Sequence, residues 1–110
     1  MRDNLQSDVC ARYLKALGDP DRLRIVQCLQ TGPKNVSEIT ALLAAEIANV
    51  SHHLRVLREA KLVHDDKQGK YVFYSLAPEF LKGMDTLDLG CCRIELGNKI
   101  RLSNPAKDDN

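Results

Sequence analysis

The chain has 110 residues, 44% hydrophobic and 28% charged, which suits one packed domain and excludes wholesale disorder, a collagen-like repeat and a second folding unit. With 16 Lys and Arg against 15 Asp and Glu the net charge is +1, so any basic surface for nucleic acid has to be local. The longest strictly apolar run, 41–45, is far below the roughly 18 residues of a membrane span, and 1–17 is too polar for a signal peptide, so the expected location is cytoplasmic with no membrane partner.

In chain order, Leu5, Val9, Tyr13, Leu14 and Leu17 recur at helical spacing and Gly18 follows as a stop, which predicts a first helix over 7–17. Asp19-Pro20-Asp21 reads as an N-cap, a proline at the first helical position and an acidic first turn. The second helix they open continues through Leu23, Ile25, Val26, Cys28 and Leu29, until Thr31-Gly32-Pro33 breaks it. Asn35-Val36-Ser37-Glu38 has the form of a capping box, so a short third helix is expected to end near Leu43. A fourth apolar stripe, Ile47, Val50, Leu54 and Leu57, predicts a helix reaching about Ala60. From Leu62 the pattern changes: Leu62-Val63-His64-Asp65-Asp66 and Lys70-Tyr71-Val72-Phe73-Tyr74-Ser75 are two β-rich runs around Lys67-Gln68-Gly69, a predicted hairpin. Pro78 opens an expected last helix carrying Phe80, Leu81, Met84 and Leu87, and 87–96 reads equally as helix or extended chain. From Ser103 the chain has nothing to bury, so the expected division is one domain over 1–102 and an unpacked tail over 103–110.

The fold class that follows is mainly α with a β-hairpin: a winged helix-turn-helix of about five helices and a two-stranded wing, whose second turn helix enters the major groove of double-stranded DNA. On a helical wheel Ile47, Val50, Leu54 and Leu57 share one face, Ala48, Asn49, His52 and Arg55 lie roughly opposite, and Ser51 stands at the border. Asn49 can present an amide to adenine, Arg55 can reach guanine or a phosphate, and Ser51 and His52 can donate to phosphates or base edges. Lys67 and Lys70 flank the hairpin tip, with Arg58 and Lys61 before it, a set suited to clamping phosphates.

Ala16-Leu17-Gly18-Asp19-Pro20-Asp21-Arg22-Leu23-Arg24-Ile25 followed by Val50-Ser51-His52-His53-Leu54-Arg55-Val56-Leu57-Arg58 resembles the ArsR/SmtB family of small bacterial regulators. Gly69-Lys70-Tyr71-Val72-Phe73-Tyr74-Ser75-Leu76 is similar to the wing strand of that family, and the likeness spans about 7–82. The resemblance implies a transcriptional repressor and a homodimer joined by its first and last helices, so that two recognition helices meet successive half-sites of a palindromic operator. Leu5, Val9, Tyr13, Phe80, Leu81, Met84 and Leu87 are compatible with such a seam. Glu46, Ile47 and Ala48 depart from the family, which usually places small polar residues there; Glu46 would sit near phosphates and weaken binding.

Regulators of this kind lose DNA affinity when a metal, metalloid or oxidant binds, which directs attention to the thiols. The family's arsenic-type cysteine pair at the start of the third helix is replaced by Asn35-Val36-Ser37-Glu38, and its zinc-type site on the last helix lacks histidines, since none follows His64. Cys28 lies in the apolar stripe of the second helix and reads as core. Adjacent Cys91 and Cys92 can both ligate a soft ion such as arsenite, cadmium or copper(I), whereas a disulfide between neighbours closes a strained ring. In the implied dimer, Cys10 is placed to approach Cys91 and Cys92 across the interface, giving three thiolates for trigonal arsenite. Two other readings stay open: the cysteines pack against the dimer seam with Ile94 and Leu96, or Cys10 oxidises with Cys91 or Cys92 between chains as a redox-responsive switch. No cofactor is expected to be required for DNA binding itself. His52, His53 and His64 read as surface or packing groups. No Ser-His-Asp set, Gly-rich phosphate loop or HExxH spacing occurs, so an enzyme is not expected. A protein-interaction module without DNA or effector is the remaining alternative.

Overall fold

A computed structural model describes residues 7–83, 85–97 and 100–103. Four helices, α1 (Ser7–Leu17), α2 (Pro20–Leu29), α3 (Val36–Leu43) and α4 (Ile47–Glu59), precede the hairpin β2 (Val63–Gln68) and β3 (Tyr71–Leu76), while β1 (Lys34–Asn35) lies between α2 and α3. A 3-10 turn (Pro78–Phe80) leads to β4 (Thr86–Asp88), β5 (Arg93–Leu96) and β6 (Ile100–Ser103). Leu5, Met84 and the tail from 104 to 110 lie outside the described residues; Ser103, expected to begin the tail, ends β6.

The helix ends are set by local chemistry. Gly18 follows α1, where a Cβ would stand 3.3 Å from the Leu14 carbonyl oxygen. The Asp19 carboxylate accepts from the backbone N–H groups of Asp21 (2.9 Å) and Arg22 (3.2 Å), satisfying donors that a helix start otherwise leaves open. Asn35 accepts from Glu38 N–H and Glu38 accepts from Asn35 N–H, both at 2.9 Å, so the predicted capping box is formed. Ala44 ends α3 in the left-handed conformation at φ 52°.

Ile25, Val26, Leu29, Ile39, Leu43, Val50, Leu54, Leu57, Leu62 and Val63 are buried together, so α2, α3 and α4 share one core on which the wing sits. In the wing, Val63 faces Leu76 and Gln68 faces Tyr71, leaving Gly69 and Lys70 as a two-residue turn whose Gly69 has φ 64°, a conformation glycine adopts without steric cost. β1 pairs with the free edge of β3, Lys34 opposite Tyr74 and Asn35 opposite Phe73, so the wing sheet has three strands in the order β1-β3-β2 where two were predicted.

The expected fifth helix is not formed: after the three-residue turn at Pro78, Gly83 at φ 105° redirects the chain into the antiparallel meander β4-β5-β6. This settles 87–96 as two strand segments, 87–88 and 93–96, joined by a turn. Its burial alternates as strands require, with Leu87, Leu89, Ile94 and Leu96 buried and their neighbours more open. Phe80 and Leu87, read as dimer-seam residues, are buried in the core of their own chain, and Tyr13 meets Phe80 edge-on at 5.2 Å. The Gln27 side-chain amide donates to the carbonyls of Leu96 (2.9 Å) and Gly97 (3.2 Å), fastening this second sheet to α2.

Candidate nucleic-acid interface

Val50, Leu54 and Leu57 seat α4 in the core, and Ala48, Asn49, Ser51, His52 and Arg55 are all exposed along its other side. Ile47 was expected in the buried stripe but is 58% exposed, because it opens the helix one turn before the stripe reaches the core at Val50 and Leu54. Glu46, directly before it, provides no side-chain cap. Lys67 near the end of β2 and Lys70 in the turn are both exposed at the wing tip, Lys70 standing 5.8 Å from the Tyr71 ring centre. Arg58 ties the end of α4 to the wing by donating to Asp65 on β2 at 3.0 Å, which engages it with a carboxylate.

The orientation of α4 is fixed by a group that sequence reasoning left without a role. Arg22 on α2 donates from Nε to the Ala16 carbonyl at the end of α1 and approaches Nδ1 of the half-buried His53 on α4 at 3.1 Å. An arginine can only donate, so Nδ1 is the acceptor in this contact, and Nε2 is the other ring nitrogen. That nitrogen faces Asp19 Oδ1 and Asp21 Oδ2, each at 3.8 Å. Asp19, Asp21 and His53 have the spacing of a metal site, and together with Arg22 they form a latch joining the end of α1, α2 and α4. Burial raises the Asp19 carboxyl, but the N–H groups of Arg22 and Asp21 and the nearby His53 and Arg22 outweigh it and hold the group below its ordinary value. The signal for this latch was the Asp19-Pro20-Asp21-Arg22 run, legible as a cap but silent about His53.

The thiols converge within one chain. Cys10 on α1 and Cys91 in the turn between β4 and β5 form a disulfide with a Cα separation of 6.3 Å, and the Sγ of Cys92 completes a trio whose sulfurs all lie within 4.8 Å of one another. The expected meeting across two subunits is therefore corrected: folding of β4 and β5 beside α1 brings these residues together in the same subunit. The turn is shaped by Gly90 at φ 90°, whose N–H donates to Asp88 Oδ1 at 2.8 Å. Burial, aided by the Asp88 carboxylate, raises the Cys92 thiol. Burial also raises Cys28, with Lys34 lowering and Glu38 raising it further; Cys28 packs against the core as its place in the stripe suggested. His52 and His64 are exposed.

The family model for bacterial regulatory proteins of the arsR family matches residues 19–65, the span from the Asp19 cap to β2. The HTH-type transcriptional regulator NmtR of Mycobacterium tuberculosis is 42% identical over 66 residues, covering 60% of this chain and 55% of the relative. The chain thus spans little more than half the length of that relative. The arsenical resistance operon repressor of Bacillus subtilis is 30% identical over 94 residues, covering 82% of this chain and 89% of the relative. Among solved structures, the homodimeric winged helix-turn-helix DNA-binding domain of a possible ArsR-family regulator from Mycobacterium bovis superposes with a TM-score of 0.64 at 28% identity, covering 72% of this chain and 75% of that one.

Proposed function

The chain belongs to the arsR family of bacterial regulatory proteins, and on that premise we propose that it is a transcriptional repressor that binds a palindromic operator as a homodimer. α4 enters the major groove and the Lys67 and Lys70 wing tip clamps the flanking backbone. The observation that carries this reading is the division of α4: Val50, Leu54 and Leu57 anchor it, leaving Ala48, Asn49, Ser51, His52 and Arg55 free beside a cationic hairpin tip.

The effector is a thiophilic ion held by Cys10, Cys91 and Cys92. Three sulfur donors within 4.8 Å fit the chemistry of a trigonal, soft acceptor such as arsenite, and cadmium or copper(I) draws on the same donors. With the Cys10–Cys91 bond reduced, cadmium or copper(I) would form metal–sulfur bonds in place of S–H bonds and release the thiol protons, whereas arsenite would give up its three hydroxyls, which leave with those protons as three waters. Because burial raises the Cys92 thiol, which must lose its proton to a cation, binding of cadmium or copper(I) strengthens as the pH increases. Cys10 lies on α1, and Arg22 joins the end of that helix to His53 on α4, so a shift of α1 at the thiols is conveyed to the DNA-facing helix.

A second reading is favoured by the Cys10–Cys91 disulfide itself. Here two thiols lose two electrons and two protons to an oxidant such as peroxide, which is reduced to water, and the dithiol and disulfide forms differ in DNA affinity. One titration separates the two. The reduced protein on a duplex selected from a random pool is exposed to arsenite, cadmium, copper(I) and peroxide in turn. Release by the ions that Cys92→Ser abolishes, with no release by peroxide, supports the ion reading; release by peroxide that survives Cys92→Ser but not Cys10→Ser supports the redox reading. Unchanged release in the Cys91→Ser, Cys92→Ser double variant refutes both.

A further inference from the structure

We propose that Ile47 is a specificity-determining residue that reads thymine, its side chain making an apolar contact with the C5 methyl group of one thymine in each operator half-site. The inference rests on the DNA-binding reading above and adds to it a residue and the base it selects.

The large exposed apolar side chains among the described residues are Leu42 at 62%, Ile47 at 58%, Tyr71 at 49% and Leu81. The first three lie on α3, α4 and the wing strand β3. Ile47 is the one on the DNA-facing helix, where it opens α4 one turn before Ser51 and two turns before Arg55, so the three share one exposed edge. Ala48, also exposed, stands beside it.

The major-groove edges of the four bases are hydrogen-bond donors and acceptors with one exception, the methyl group of thymine. A serine or glutamine at the start of this helix would pair with the polar edges. Isoleucine has no such capacity, and pressing it against a donor or acceptor strips that group of water without replacing the hydrogen bond. The one favourable base edge for Ile47 is therefore the methyl of thymine. Its β-branched side chain is stiff about χ1, so little freedom is lost when the contact forms. The surroundings match a polyanion in preference to a second copy's apolar seam, since exposed Asn49, His52 and Arg55 share the helix and exposed Lys67 and Lys70 stand on the wing.

The test uses the full chain and duplexes selected by it from a randomised pool. The preferred duplex is remade with deoxyuridine in place of each thymine in turn, which removes the methyl group and leaves every hydrogen-bonding group in place. At one thymine position per half-site the wild-type protein should lose about fourfold in affinity, the size of one buried methyl-sized group. Ile47→Ser, at an exposed position, should keep the wild-type melting curve, bind the thymine duplex less tightly, and lose nothing more on that replacement. The inference is overturned if deoxyuridine is tolerated at every position, or if Ile47→Ser shows the same loss as the wild type. It is equally overturned if Ile47→Ser keeps its base preference but changes oligomeric state, which would place a second copy over Ile47. Retention of no duplex at all would instead defeat the DNA-binding reading, and the inference with it.

Discussion

Reduction of the Cys10–Cys91 bond is expected to lower stability by an amount set by the loop it closes. The two residues are 81 positions apart. In the chain-entropy treatment a loop of that length removes about 15 cal/mol/K from the unfolded ensemble, or about 4.5 kcal/mol at room temperature, and disulfides in practice deliver about 2–4 kcal/mol. With a urea dependence of about 1.5 kcal/mol/M for a protein of this size, a contribution of about 3 kcal/mol moves the unfolding midpoint by about 2 M. The assay is urea denaturation followed by circular dichroism, with and without a non-thiol reductant, on the wild type and on Cys10→Ser. The wild type should show the two separated curves, and Cys10→Ser should follow the lower one under both conditions. Coincident wild-type curves, or a reductant effect that persists in Cys10→Ser, would refute the placement of Cys10 against Cys91 in one subunit.

Two further outcomes follow from the helix starts. Asp19→Ala removes the cap of α2 and one side of the latch on His53, and should destabilise the protein by about 1 kcal/mol at neutral pH in a thermal melt. Because the Asp19 carboxyl is held below its ordinary value, its contribution is fully present above the unfolded carboxylate range near pH 3.9 and is lost as the pH falls through the lower folded value. The gap between the two proteins should therefore close in that acid window and stay constant above it. Glu46→Gln removes a negative charge that caps nothing at the start of α4, and should tighten duplex binding by about 1 kcal/mol in a low-salt titration. Unchanged affinity would place Glu46 away from the phosphates.

The first two-thirds of the fold was legible because its boundaries are written in short-range chemistry. Asp19-Pro20 and the Asn35/Glu38 pair fix helix starts through bonds made within three residues, and the structure keeps both. The helix expected from Pro78 was misread because Phe80, Leu81, Met84 and Leu87 fall at spacings a helix shares, while the decisive features were Gly83 at positive φ and, in the segment 87–96 that read equally as helix or extended chain, the two-residue alternation of Leu87 with Leu89 and of Ile94 with Leu96. β1 is two residues long and exists only because β3 offers it an edge, so nothing local announces it. The polar face of α4 was legible from its period, whereas the exposure of Ile47 depends on where the core ends. The thiol trio joins positions 81 residues apart and the His53 latch joins α4 to α2; both are products of tertiary packing, and a pattern read along the chain does not contain them.

Whether the polar face of α4 lies against duplex DNA is decided by titrating a selected palindromic duplex against the wild type and Arg55→Ala over a range of salt concentrations. Wild-type binding should weaken linearly on logarithmic axes as salt increases, and Arg55→Ala should lose about 1–3 kcal/mol with the fold intact. Failure of the wild type to retain any duplex, or identical curves for the two proteins, would contradict that placement of α4.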